Sequence, residues 1–547
     1  LILTLGKWQD AVDRRLERWE TQEFARRMKE KDPLLWHTEP QPEIADRLGW
    51  LELPERMKDR QEVILSFAHE IRQEGFSHVL LLGMGGSSLA PEVFQKIMGN
   101  APGFPELVVL DSTHPAAIIE VKNKLNPSST LILVSSKSGT TLETLSLFAY
   151  FWAWIGKYHR QPGRFFAAIT DANSPLDKLG RKHKFRKIFL PSPDVGGRYS
   201  AFTEFGFVPA ALIGMDIQDL LARARVASIE DLTPGREKNS PGLVLGASLG
   251  ELSRKRDKLT LYTTGSLAGF PLWLEQLLAE STGKQGKGIV PVVDEPPAPA
   301  KVYAQDRTFV GFFARGDQNP ILDKHFNDLD SSGHPTIRIH LKDRLEIGRE
   351  IFRWEIATAS AGSVQGIHPF NQPDVQLTKD LTRNVMEKGE KDGPSEQGPA
   401  PGFSLGNDSA GAAALDNFLS PAKSGGYIAL QAFLPPFPGI QQALQGVRTA
   451  LFKRTNLAIT VGFGPRFLHS TGQLHKGGPD TVFAIQIIDQ SSHDIPVPGT
   501  NYTFGALIEA QAWGDFRALQ QKKRRAIRIA LGRDLAAELK KLEEFIY

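Results

Sequence analysis

The chain has 547 residues, 41% of them hydrophobic, with 65 Lys and Arg against 62 Asp and Glu. A length prior of about 100–200 residues per domain suggests two large domains, and a net charge of +3 supplies no field to hold nucleic acid or a membrane surface. Cysteine is absent, which excludes disulfides, thiolate nucleophiles and cysteine-bound zinc and fits a reducing, cytoplasmic setting.

In chain order, Leu1-Ile2-Leu3-Thr4-Leu5-Gly6 is too short and lacks the basic flank of a signal peptide, and reads as a cut end. Residues 7–75 are a helical lead-in, with Trp8, Val12, Leu16 and Trp19 at three- and four-residue spacing. From His78 the pattern alternates strand, loop and helix, with short β-rich runs at His78–Leu82, Leu107–Asp111, Thr130–Ser135, Arg164–Thr170 and Lys187–Leu190. Such alternation predicts a parallel sheet covered on both faces. The run Asp231–Gly242 carries two Pro-Gly dipeptides and reads as an inter-domain link. A second strand set follows at Leu259–Thr264, Thr308–Phe313, Thr336–Leu341, Tyr427–Phe433, Leu457–Val461 and Val482–Ile487, with helices at Phe270–Glu280 and Arg349–Val364, and predicts another αβα layer. Met386–Asn407 is Gly/Pro-rich and charged and reads as a mobile insertion. The tail from Lys522-Lys523-Arg524-Arg525 to Tyr547 reads as a solvated helix. No window approaches the roughly 18 apolar residues of a membrane span.

Two loops carry the chemistry. Gly83-Met84-Gly85-Gly86-Ser87-Ser88 and Ser135-Ser136-Lys137-Ser138-Gly139-Thr140-Thr141 each leave a strand and enter a helix whose first N–H groups lack partners, a place suited to a phosphate. No Walker-type Gly-Lys-Ser/Thr run is present, so a phosphate monoester such as a sugar phosphate fits better than a nucleoside triphosphate. Plain structural turns look the same singly; two in succession favour the cradle. Glu280 ends a helix at a glycine-rich turn, with Gln276 one turn back on the same face. It reads either as a general base or as a helix-terminal acid paired with Lys284. Arg198, in Gly196-Gly-Arg-Tyr-Ser200, offers a fixed cation for developing negative charge or a partner for some carboxylate. Asn371 reads as a helix N-cap and Pro373 as a first-turn residue, which sets Gln372 and Lys379 about two turns apart on one face, whether solvated or functional. His475, flanked by glycines, is a candidate proton shuttle or plain surface. With no Cys and no His-x-His pair, neither metal nor cofactor is expected.

Five pieces in order, Gly83–Ser88, Ser136–Thr144, Gly196–Ser200, Glu280–Lys284 and Pro369–Pro373, resemble the glucose-6-phosphate isomerase family across most of residues 60–530. The run His469–Pro479 looks most like the isomerase half of bifunctional transaldolase/glucose-6-phosphate isomerase proteins. The resemblance implies two SIS-type αβα sandwich domains with mainly parallel sheets, at 61–235 and 236–547, after a helical segment at 1–60. It also implies a homodimer with a shared active site, in which the ring-opening histidine arrives from the partner subunit. Gly86, Ser87, Ser136, Lys137, Ser138 and Thr141 would line the phosphate site. Glu280 would move a proton between C2 and C1 through a cis-enediol while Arg198 stabilises the enediolate. Gln276 and Gln372 would contact substrate, and Lys379 with His475 would open the ring. The chain departs from the family's usual order, because His475 follows Gln372 and Lys379. His469 is therefore the alternative to His475. The implied activity is aldose–ketose isomerisation of glucose 6-phosphate and fructose 6-phosphate. A dual phosphoglucose/phosphomannose isomerase and a non-catalytic sugar-phosphate sensor are the competing readings.

Overall fold

In the computed structural model, which describes residues 1–388, 402–404, 408–422, 425–489 and 494–546, fifteen strands form three five-stranded sheets. The first holds β2 (His78–Leu82), β3 (Glu106–Leu110), β4 (Thr130–Ser135), β5 (Phe166–Ile169) and β6 (Lys187–Phe189), all parallel, in the spatial order β3-β2-β4-β5-β6. The second holds β1 (Ile2–Thr4), β7 (Lys258–Thr263), β8 (Val290–Val293), β9 (Arg307–Ala314) and β10 (Thr336–Leu341) in the order β1-β10-β9-β7-β8, with β1 antiparallel on its edge. The third holds β11 (Gly402–Ser404), β12 (Tyr427–Phe433), β13 (Ala458–Phe463), β14 (Val482–Asp489) and β15 (Arg525–Leu531) in the order β11-β15-β14-β12-β13, all parallel.

Each sheet repeats one winding. Counted along the chain from β2, from β7 and from β12, the first strand lies between the second and the third, with the fourth beyond. This doubly wound order makes a crevice at the carboxyl ends of the first and third strands, where the connections depart in opposite directions. The central strands are buried on both faces, which explains their unbroken apolar runs: Val79–Leu82 and Leu131–Val134 have no exposure. The second strand set is thus two sheets rather than one layer. β8 and β15 escaped the sequence reading, β8 for its proline and β15 because its first residues are basic.

Two further expectations are corrected. The Asp231–Gly242 run is a packed corner rather than a loose connection: Asp231, Glu237 and Ser240 are buried, and Asp231 Oδ1 accepts from Gly242 N at 2.7 Å and Ser240 Oγ at 3.0 Å. The tail is a buried strand, β15, followed by a helix over Leu535–Ile546. Most of the expected Met386–Asn407 insertion lies outside the described residues.

The lead-in forms its helix at Gln9–Thr21 with Val12, Leu16 and Trp19 buried. It also buttresses the Arg198 turn, since Gly49 N donates to Asp194 O at 2.9 Å and the Trp50 ring stacks on Tyr199 at 4.9 Å. One core cluster runs from Leu5 to Phe370, shared by the first two sheets, whereas Leu415–Ile546 make a separate one around the third. No helix among the described residues is long and apolar enough to cross a membrane.

Candidate active site

The two loops read from sequence follow β2 and β4, the first and third strands of the first sheet, and so border its crevice. Gly85 has a φ of +53°, and a Cβ there would stand 2.7 Å from His469 O and 2.8 Å from Gln276 Nε2. A Cβ on Gly86 would meet Gly197 O at 2.1 Å. Glycine at both positions lets the β2 loop close against the Arg198 turn and the His469 segment.

Glu280 and Arg198 form a buried ion pair, Oε1 to Nη1 at 2.6 Å. The other carboxylate oxygen accepts from Gln276 Nε2 at 3.0 Å, as the one-turn spacing requires, and the same amide donates to His469 O at 2.8 Å. Arg198 Nη2 donates to Asn371 O at 2.8 Å. The helix-terminal alternative for Glu280 is excluded, because Lys284 Nζ turns to His368 O at 2.7 Å. Burial pushes the Lys284 ammonium well below its ordinary pKa, with the Arg198 charge adding to the effect.

A cavity of about 660 Å³ opens beside this chain of contacts. Ser138, Thr140 and Thr141 line one wall, and Lys379 and Arg383, from the helix Pro373–Lys388, line another. His469 and Glu143 lie between them. Glu280 stands one hydrogen-bonded residue behind the wall, through Gln276 and the His469 carbonyl.

His469 Nε2 meets Glu143 Oε1 at 2.8 Å. Burial works to raise the Glu143 pKa, but a charged His469, its hydrogen bond and Lys379 outweigh it, so the carboxyl ends below its usual range. Glu143 was missed from sequence, although it lies within the quoted Ser136–Thr144 motif. Its signal was a carboxylate in the first helical turn after a phosphate-type loop.

His475 is not in this cavity. It is buried on the helix Gly472–Gly477, with Nδ1 3.1 Å from the Tyr427 hydroxyl, and desolvation, helped by Lys476, drives its pKa to about 3. Of the two histidines read from sequence, His469 is the one that lines the cavity.

The other named residues divide. Ser138 and Thr141 face the cavity; Ser136 Oγ lies 2.9 Å from Thr141 Oγ1 and shapes the loop from below. Ser87 is buried at the end of the β2 loop. Lys137 is turned away, its Nζ 2.9 Å from both Asp171 oxygens and 3.2 Å from Pro193 O. Gln372 is exposed next to Asn371 and lies outside the wall. Asn371 does not cap through its side chain, whose Oδ1 is buried without a partner. Instead His368 Nδ1 accepts from the Phe370 and Asn371 N–H groups at 3.1 and 3.3 Å.

Fold and site together define a doubly wound α/β protein that sets an anion-type loop beside a carboxylate–arginine pair and a carboxylate–histidine pair. The phosphoglucose isomerase family model matches residues 49–296. The glucose-6-phosphate isomerase of Nostoc punctiforme is 32% identical over 397 residues, covering 64% of this chain and 73% of the relative. That of Rubrobacter xylanophilus is 26% identical over 389 residues, covering 62% and 89%. The crystal structure of the Chlamydia trachomatis glucose-6-phosphate isomerase shares the fold, with a TM-score of 0.58 at 20% identity over 70% of this chain and 87% of that one. The chain belongs to the phosphoglucose isomerase family.

Proposed function

We propose that this protein interconverts glucose 6-phosphate and fructose 6-phosphate, with the phosphate at the β4 loop and the reacting carbons toward Glu280. The observation that carries the reading is the continuous set of contacts from Arg198 and Glu280 through Gln276 to His469 and Glu143, the last two of which line one cavity with Lys379. Ser138, Thr140 and Thr141 anchor the phosphate, helped by the start of the helix Leu142–Gly156. Lys379 and His469 open the ring: His469 keeps its Nε2 proton on Glu143 and works through Nδ1.

Glu280 then takes the C2 proton of the open aldose and returns it to C1, while the C1 oxygen is protonated and the C2 hydroxyl loses its proton. As the carboxylate is neutralised, negative charge moves onto the enediol oxygens. Arg198 pairs with whichever neighbour holds that charge, the carboxylate before transfer and the enediolate after. Gln276 keeps the base aimed, and Gln372 approaches the sugar from the rim. The phosphate supplies binding energy away from the reacting carbons, which holds the sugar in register.

A coupled assay that reports glucose 6-phosphate formed from fructose 6-phosphate tests the reading. Turnover that falls about 10²-fold or more in Glu280→Gln is expected, and near-unchanged turnover would overturn it. The same assay with mannose 6-phosphate is expected to show no rapid turnover. A homodimer and a cytoplasmic setting are part of the proposal. Light scattering checks the first.

A further inference from the structure

Glu143 has a second donor that the reaction scheme leaves unused. Gln511 lies on the helix Phe504–Gln521, which covers the third sheet, and its Nε2 donates to the same Oε1 that meets His469, again at 2.8 Å. Its own Oε1 accepts from Thr113 Oγ1 at 2.8 Å, in the connection after β3. All three side chains are buried. The Glu143 carboxylate, which only accepts, fixes which way the amide faces: Nε2 turns to it, and Oε1 is left to accept from the Thr113 hydroxyl.

We infer that Gln511 is a positioning residue for ring opening, one that fixes Glu143 so that His469 holds its proton on Nε2 and presents Nδ1 to the sugar. The inference rests on the isomerase reading above. Its physical basis is the choice of a neutral donor. A carboxylate held by one hydrogen bond swings about its torsion, and the imidazole swings with it; a second donor at the same oxygen removes that freedom. A lysine or arginine in the place of Gln511 would also hold Glu143, but its charge would compete with the imidazolium for the carboxylate. The amide restrains direction without that competition.

The same helix also sets the distance to Lys379. Three residues on, a Cβ on Gly514 would stand 2.4 Å from Thr382 Oγ1 and 2.9 Å from Thr382 N, so the helix Pro373–Lys388 lies directly against it. One face of one helix therefore places both ring-opening groups, although neither belongs to it.

The test compares two substrates and one spectrum in Gln511→Leu and Thr113→Val. Fructose 6-phosphate must be opened, whereas 5-deoxyfructose 6-phosphate has no C5 hydroxyl to close a furanose and bypasses His469. In Gln511→Leu, turnover of fructose 6-phosphate is expected to fall about tenfold or more with KM within about twofold, and the acyclic analogue to stay within about twofold. Thr113→Val, which leaves the amide in place but removes the hydrogen bond that holds its Oε1, should fall between wild type and Gln511→Leu. In ¹⁵N spectra of labelled histidine, assigned with His469→Gln, wild type should show the Nε2–H tautomer of His469 and Gln511→Leu a mixture. Equal loss on both substrates, or an unchanged tautomer, overturns the inference. A wild-type protein that turns over neither substrate overturns the isomerase reading instead, and the tautomer then judges the Gln511–Glu143–His469 contacts by themselves.

Discussion

His469 and His475 stand six positions apart and separate an imidazole at the cavity from a structural one. Replacing His469 by Gln should cut turnover of fructose 6-phosphate by about 10²-fold, the usual effect of losing a proton-transfer group. Replacing His475 by Gln keeps an acceptor for the Tyr427 hydroxyl and should leave turnover nearly intact. Its effect belongs to stability. The folded pKa of about 3 lies below the ordinary histidine value, so the unfolded chain binds the proton first as pH falls. This contribution is fully present above roughly pH 6.5 and drains away as pH falls toward 3. Thermal melts should therefore show His475→Gln losing less stability than wild type between those limits; parallel curves would contradict the assignment. Arg198 calls for a gentler change than alanine, because a buried carboxylate stripped of its partner costs about 3–5 kcal/mol and would confound folding with catalysis. Glu280 and Arg198 were legible as residue types beside glycine turns, whereas their pairing was not, since 82 residues separate them in the chain.

Among the elements, the corner at Asp231–Gly242 behaves least as its composition suggests. Two Pro-Gly dipeptides mark a turn correctly, but burial depends on what packs above it, and here Asp231 Oδ2 is enclosed without a partner. Desolvation lifts its pKa to about 6, against the pull of the Gly242 N–H, Arg353 and Ser240. A raised carboxyl pKa means that the folded state binds the proton more tightly than the unfolded one. Stability from this group is greatest below about pH 4 and is lost as pH rises to 6, the reverse of His475. Asp231→Asn, which cannot ionise, should gain on wild type as pH is raised from 4 to 6 and hold that difference above it, and differential scanning calorimetry at pH 4, 6 and 8 would show it. A difference that shrinks over the same range would refute the burial argument. Strand alternation, by contrast, was readable wherever both faces are covered, because apolar residues then run without interruption, as in β2 and β4. β15 hid because its exposed first residue and basic approach imitate a helix surface.

At the scale of the molecule, the first two sheets share one core cluster and one face of the third has its own, while the other face of the third packs against β8 and its helix Phe504–Gln521 reaches the first sheet, so that the third supplies His469 and Gln511 to a crevice of the first. Arg466 reinforces that seam, pairing with Glu92 and standing 3.3 Å from Asp111. Hydrogen exchange in moderate urea should show the amides of β12–β15 opening before those of β2–β5, with activity lost alongside the third sheet. Uniform exchange across all three sheets would contradict earlier opening of the third. The parallel strand–helix alternation, the two glycine- and hydroxyl-rich loops, and Glu280 and Arg198 as candidates beside glycine turns were determined by the sequence alone, because strand burial, turn chemistry and helical spacing act over a few residues. Which histidine borders the cavity, why Lys137 turns away, and that Glu143 and Gln511 join the site were decided only by tertiary structure. Those outcomes depend on contacts across as many as 398 residues, such as Thr113 to Gln511, and on desolvation, which no local pattern encodes.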